Sequence, residues 1–319
     1  MSLPKKILLL GGTGFVGRSL CERLVAQGTD LRLTVATRRL ANAKPVQFLP
    51  AVDPVECDVH DDAQLTRLVA GHDAVVNLIA ILHGSAADFD KVHVLLARRL
   101  ASACTAAGVP RLLHVSALGV SADAPSNYLR SKAEAEAVLK AAALELSVLR
   151  PSVIFGPGDR FLNLFAALQS VFPVMPLAGN EARFQPVWVE DVTEALLRCV
   201  QRPETIGQTY ECAGPQVLTL RELVQLAGQL SGHERPVLAL PESLGRLQAL
   251  AMELMPGTPL MSRDNLLSMR VPNVATGQWP GLEALGIHAA SLQAVAPGYL
   301  SPGQGVARFN RWRALHHPR

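Results

Sequence analysis

"KILLLGGTGFVGRSL", residues 6–20, is the stretch on which the fold turns. Ile7 to Leu10 are consecutive apolar residues, the pattern of a strand buried on both faces. Glycines at 11, 14 and 17 follow at once. Then Phe15, Val16, Leu20, Leu24 and Val25 recur at helical spacing, and Gly28 ends the run. A strand that turns through spaced glycines into a helix is built to hold a diphosphate. Gly11 makes the tight turn, Gly14 lets the backbone approach, and Gly17 lets the helix lie close on the sheet. The helix start offers free N–H groups to the phosphates. Thr13, Phe15 and Val16 fall in the same contact region.

Outward from this junction, strand and helix alternate. "LRLTVATRR" (31–39), "VECDV" (55–59), "DAVVNLIA" (73–80) and "PRLLHVSA" (110–117) read as strands, and "LSVLRPSVIFG" (146–156) as a strand that runs into loop. Helices are predicted over 61–71, about 86–107 and from 128 on. Nearly continuous apolar strands separated by helices predict an α/β fold, a Rossmann-type doubly wound parallel sheet. A smaller C-terminal substrate lobe completes it. We expect residues 1–157 to form the dinucleotide-binding domain, with sheet and helix contributions from about 185–215. Residues 158–319 form a mixed lobe with a basic tail. In that lobe Thr219 and Glu222 make a capping-box pattern.

The end of the second strand bears on which dinucleotide is held. A site for NAD usually carries an acid there. This chain has "ATRR" instead. Thr37 offers a hydroxyl, and Arg38 and Arg39 offer guanidinium forks suited to a ribose phosphate. NADP(H) is therefore preferred and NAD(H) is the alternative, with Arg38 as the favoured phosphate contact. Asp58 and Val59 follow the third strand and face the adenine. Asn77, Ile79 and Ala80 end the fourth and line the ribose path.

"NYLRSK", residues 127–132, puts Tyr128 and Lys132 on one helix face. An ammonium beside a phenol favours phenolate, so the pair could exchange protons near neutral pH. Tyr128 follows the fifth strand by a short loop, which brings it to the edge where open α/β sheets bind ligands. Ser116, beside Val115 at the end of that strand, is a candidate to hydrogen-bond a substrate oxygen. The other reading makes Ser116 a strand-end hydroxyl, with Ala117 in the position that matters.

Composition narrows the field. The 30 basic and 27 acidic residues leave a net charge of +3, too little to draw nucleic acid. Five separated cysteines read as buried reduced thiols. The histidines are scattered, and no metal site is expected. The chain lacks GxxxxGK[ST] and GxSxG. The N-terminal apolar run has a better use as a first strand than as a signal peptide. The closing "RFNRWRALHHPR" is basic, either a solvated end or a contact for an anionic membrane or acidic partner.

Taken together, "GGTGFVG", "NYLRSK", "LRPSVIFGPGD" and "FQPVWVEDVTEAL" resemble the extended and atypical short-chain dehydrogenase/reductases, the NAD-dependent epimerase/dehydratase group. "HVSALG", "YLRSKAEAE" and the leucine- and methionine-rich region 243–271 are similar to a narrower set. These are the bacterial relatives of the NADPH-binding accessory subunit of respiratory complex I, the alpha-subcomplex subunit 9 type. The resemblance implies Tyr128 as acid/base and Lys132 as the residue that orients the ribose. It implies that Pro151 to Val153 flank the nicotinamide, that Gln185 and Pro186 lie on the substrate side, and that Asp191 starts a supporting helix. The group's catalytic hydroxyl falls on Ala117, a departure that weakens a sugar epimerase or dehydratase reading.

Two functions follow as expectations. One is hydride transfer to or from an apolar carbonyl or hydroxyl substrate. Phe161, Leu164, Phe165, Phe172, Met175 and Trp188 would line its pocket, although a core reading suits most of them better. The other is a non-catalytic NADPH-binding structural or assembly factor of a respiratory membrane complex. The expected location is cytoplasmic, or peripheral at the inner face of the membrane, as monomer or homodimer.

Overall fold

The computed structural model describes residues 4–28, 30–257 and 259–303, so the basic tail and His316–His317 lie outside the described residues. The chain divides into two units. The first comprises the chain up to Pro151, Glu190–Cys212 and Thr276–His288. The second comprises Ser152–Val189, Ala213–Ala275 and the chain from Ala289.

The first unit holds a 7-stranded sheet. Its strands are β1 (Lys6–Leu10), β2 (Arg32–Thr37), β3 (Val52–Glu56), β4 (Ala74–Asn77), β5 (Arg111–Val115), β6 (Glu145–Pro151) and β7 (Thr209–Cys212). They lie in the order β7-β6-β5-β4-β1-β2-β3, every pair parallel. Strand order reverses between β1 and β4, the place where such sheets open a crevice. Ile7 to Leu10 and Ala74 to Val76 are fully buried, as central strands covered on both faces must be.

Helices α1 (Phe15–Val25), α2 (Asp62–Val69), α3 (Leu96–Ala107), α4 (Asn127–Ala141) and α5 (Val189–Gln201) accompany the sheet. Asp61 caps α2 by accepting the Gln64 N–H at 2.9 Å, and Ser126 caps α4 through the Leu129 N–H at 3.2 Å. Gly108, at φ 67°, closes α3. Leu65, Val69, Leu96, Leu100, Leu112, Leu139 and Val148 form one buried cluster with Leu8 and Leu10. Each such side chain contributes about 1.5–3 kcal/mol, so burial holds these helices more than helix propensity does. Arg23 joins α1 to α5 through Glu190 at 2.7 Å and Glu194 at 2.6 Å. All five cysteines are buried free thiols.

Three elements differ from the sequence reading. The third strand runs over Val52–Glu56, not 55–59, with Leu33 opposite Val52 and Thr37 opposite Glu56. Pro54 hid its start, and the sheet tolerates that proline because β3 is an edge strand. The fourth strand stops at Asn77, where the side-chain Oδ1 accepts the Ile79 N–H at 3.1 Å and turns the chain. The predicted helix over about 86–107 is broken: Ala86–Phe89 passes through a π-turn, Asp90–Leu95, before α3.

The second unit has helices Leu162–Val171, Leu220–Ser231 and Glu242–Leu254, with short two-stranded pairings between them. The capping box forms as read: Thr219 Oγ1 accepts the Glu222 N–H at 3.2 Å, and Glu222 Oε2 accepts the Thr219 N–H at 2.7 Å. Phe161, Phe165 and Trp188 pack against a core of Phe155, Leu162, Leu223 and Tyr299. Met175 is buried in a neighbouring cluster, whereas Phe172 is half-exposed. Among the described residues no helix is long and apolar enough to cross a membrane.

Candidate functional site

Sterics define the glycine turn. Gly11 sits at φ +84°, and the Gly14 N–H closes the turn onto the Gly11 carbonyl at 3.0 Å. A Cβ on Gly17 would lie 2.4 Å from Gly11 O and 2.5 Å from Gly12 Cα, so no larger residue fits there. A Cβ on Gly14 would meet only Gly11 O, at 3.2 Å, and Gly14 is exposed. Helix α1 starts with no side-chain cap, and a helix start of this kind offers its first N–H groups to an anion. Thr13, Phe15 and Val16 are half-buried around it. A Cβ on Gly11 would touch Leu78 and Ile79, so the turn lies directly against the loop after β4.

At the end of β2, the Thr37 hydroxyl donates to the Arg39 carbonyl at 3.0 Å and folds its own turn. Arg38 and Arg39 are exposed, and neither enters an ion pair among the described residues. Beyond β3, Asp58 is exposed and accepts the His60 N–H at 2.9 Å, while Val59 is buried. Asn77 is buried between the Ile79 N–H and His114, whose Nδ1 accepts from Asn77 Nδ2 at 3.2 Å. Ile79 is half-buried and Ala80 exposed.

The Ser126 cap sets Tyr128 in the first turn of α4, with Lys132 one turn further. Lys132 is 1% exposed, and its ammonium donates to the Val115 carbonyl at 2.6 Å. Burial pulls this amine down to about 8, against the opposing charge of Glu136. The Tyr128 ring stands edge-on to His93, 5.7 Å between centroids, and to Phe89, 6.1 Å. The side chain keeps some solvent access, yet its surroundings push the phenol up to about 12. The expected phenolate is therefore not favoured in the chain alone. Desolvation alone raises it, and the Lys132 ammonium is held on a strand carbonyl.

Ser116 is buried beside Glu136 and has no well-formed hydrogen bond from its Oγ among the described residues. Burial alone would raise Glu136. Arg150, at 2.9 and 2.7 Å, with help from the Ser116 hydroxyl, holds it below its ordinary value instead. Ala117 is also buried. The Pro151 carbonyl accepts the Leu118 N–H at 3.0 Å. Val153 belongs to the second unit, where its N–H donates to Asn273 Oδ1 at 2.9 Å. Gln185 is occupied there too: Nε2 donates to the Gly214 carbonyl at 2.7 Å and Oε1 accepts the Ala275 N–H at 3.0 Å. Asp191 is buried in the first turn of α5.

The parallel order sets the C-terminal ends of β1, β4 and β5 side by side. It thereby gathers Gly11–Gly17, Asn77–Ala80, Val115, Ser116, Tyr128 and Lys132 at one edge. His93, His114 and the Glu136–Arg150 pair belong to this edge as well, and sequence reading missed them. They come from separate elements and share no local spacing.

A glycine cradle on a bare helix start, with a buried lysine one turn after a tyrosine, defines a nicotinamide-dinucleotide-binding Rossmann protein related to the epimerase/dehydratase group. Residues 11–159 match the NAD(P)H-binding family. The chain is 30% identical over 300 residues to the mitochondrial NADH dehydrogenase [ubiquinone] 1 alpha subcomplex subunit 9 of Rattus norvegicus, covering 89% of this chain and 77% of the rat protein. It belongs to the family of that subunit. It is also 28% identical over 238 residues to the ceramide reductase of Caulobacter vibrioides, 74% of each chain. A nucleoside-diphosphate-sugar epimerase from Staphylococcus aureus shares the fold at TM-score 0.73 and 16% identity, over 90% of this chain and 98% of that one.

Proposed function

We propose that the chain is an NADP(H)-dependent reductase of short-chain type, acting on an apolar carbonyl or hydroxyl compound with Tyr128 as acid/base. The observation that carries this reading is Lys132, a fully buried ammonium one turn after Tyr128 at the open edge of the sheet. Burying an ammonium against a backbone carbonyl is costly, and a purely structural nucleotide site does not require it. When bound, the nicotinamide supplies or accepts the hydride. Tyr128 gives its proton to the carbonyl oxygen as the carbonyl carbon is reduced, and takes it back in the reverse direction. Lys132 holds the ribose hydroxyls and keeps positive charge beside the phenol, which works against desolvation. Arg38 favours NADP(H) over NAD(H), because the end of β2 offers guanidinium and no acid. The likeness to a ceramide reductase supports a long-chain lipid carbonyl as the substrate class.

The deciding experiment is a carbonyl-substrate screen with NADPH on the wild type and Tyr128→Phe. We expect the variant to keep NADPH affinity within a few-fold and to lose turnover. Unchanged turnover would remove Tyr128 from the mechanism.

A second reading has its own support. The helix Glu242–Leu254 exposes Leu244, Leu247 and Leu254, with Met255 beyond it. Such a face on a relative of a complex I subunit suits a nucleotide-binding structural component at a respiratory membrane complex. Stoichiometric NADPH that does not exchange, with no turnover in the same screen, would favour it.

A further inference from the structure

The π-turn Asp90–Leu95 interrupts an otherwise regular helix. Such turns recur where one side chain has to be aimed. Here that side chain is His93, buried in the first unit. Its Nε2 accepts the Ile81 N–H at 3.2 Å, directly after the Asn77–Ala80 loop. An amide N–H can only donate, so Nε2 carries the lone pair and the proton sits on Nδ1. Nδ1 lies 2.8 Å from Ser131 Oγ, and the Ser131 hydroxyl donates to the Tyr128 carbonyl at 2.9 Å. The chain of bonds thus runs one way, from the imidazole N–H through Ser131 to the backbone of Tyr128. The same ring stands edge-on to the Tyr128 phenol ring. Burial first, and then the Lys132 charge, pull His93 down to about 3, so the ring is neutral. A charged ring would lose the bond from Ile81 and repel Lys132.

We propose that His93 is a positioning residue for the dinucleotide edge. It locks the end of the β4 loop and the first turn of α4 in one arrangement, so that the ribose path and Tyr128 stay aligned. This inference rests on the reading of those two segments as the cofactor edge. It gives the break in the helix a purpose, because a regular α-helix through 90–95 would place residue 93 in a different direction.

Two measurements test it on the full chain. The first is nitrogen NMR of histidine-labelled apo protein, with His93→Gln used to assign the signal among the nine histidines. A neutral ring protonated on Nδ1 is expected; a proton on Nε2, or a charged ring, overturns the proposal. The second is NADPH affinity, read by nicotinamide fluorescence, in wild type, His93→Phe and His93→Gln. Phenylalanine keeps the ring contact and loses both hydrogen bonds, so binding should weaken by about tenfold. Glutamine can accept from Ile81 and donate to Ser131, and should return affinity to within about threefold. Phenylalanine as tight as wild type, or glutamine as weak as phenylalanine, overturns the proposal. Should His93→Phe not fold, the NMR result on the wild type decides alone. Wild type that takes up no NADPH would defeat the proposed function, while the NMR arm would still judge the tautomer.

Discussion

The glycine turn and the tyrosine–lysine turn are both strand-to-helix junctions at the same edge of the first unit. They are built in different ways. Gly11, Gly14 and Gly17 work through what is missing: a Cβ on Gly17 would collide with the turn, one on Gly14 would crowd Gly11 O, and one on Gly11 would crowd Leu78 and Ile79. Tyr128 and Lys132 work through what distant residues supply, a carbonyl from β5 and rings from the helix before α3. The first junction is a local steric object. The second is a tertiary one, and its chemistry is set by desolvation as much as by its own residues.

The largest effect should come from breaking the steric junction. Gly17→Ala places a methyl 2.4 Å from Gly11 O. We expect a loss of about 1–3 kcal/mol in urea unfolding, as for other overpacked sites, and no measurable NADPH uptake by calorimetry. Gly298→Ala is the control, because a Cβ there meets open space. Wild-type-like binding by Gly17→Ala would erase the distinction between the two junctions.

Breaking the tertiary junction should separate binding from stability. Lys132→Met removes a charged donor, which is worth about 1.5–3 kcal/mol, so NADPH affinity should fall roughly 10- to 100-fold. Stability should hold or rise, because an ammonium no longer has to be buried. The pH dependence has a definite sign. Lys132 is pulled from 10.5 to about 8 in the folded chain. Between those values the unfolded state binds more protons, so the contribution of Lys132 to stability improves as pH rises through that window. Its penalty is present in full below about 8. NADPH affinity should move the opposite way, falling as pH rises through about 8 and the charge is lost. Lys132→Met should flatten both profiles.

These two junctions also mark how far sequence reading reached. The glycine turn, the alternation of strands and helices, and the Thr219–Glu222 box were legible because each depends on neighbours within one or two turns of chain. The start of β3 was hidden by Pro54, a residue tolerated only because that strand lies at the edge of the sheet. The π-turn left no periodic signal, since His93 is aimed by its contacts with Ile81 and Ser131. Where Tyr128 and Lys132 were read as a pair, their electrostatics were not legible. The spacing of Tyr128 and Lys132 suggested a lowered phenol, whereas the buried setting pushes it to about 12.

A smaller effect belongs to the exposed end of β2. Arg38 lies free of carboxylate partners among the described residues. Arg38→Gln should therefore leave folding untouched and narrow the preference for NADPH over NADH by about tenfold. Equal affinities in the wild type would take Arg38 out of cofactor choice.

Ser116 should show the smallest effect, and it settles an ambiguity that spacing alone leaves open. Its hydroxyl is buried on the Glu136 side with no well-formed bond, and Glu136 is already held by two bonds from Arg150. Ser116→Ala leaves Glu136 both of its bonds from Arg150, so unfolding free energy should move by no more than about 0.5 kcal/mol, and NADPH affinity should not change. If Ser116 instead polarised a substrate carbonyl, its removal would cost about 100-fold or more in turnover. We expect turnover to stay within a few-fold of wild type. Ala117→Ser should raise it, because a hydroxyl at that position would add a second donor for the substrate oxygen beside Tyr128. A large loss in Ser116→Ala, with no gain in Ala117→Ser, would make the tyrosine junction a three-residue device rather than a pair.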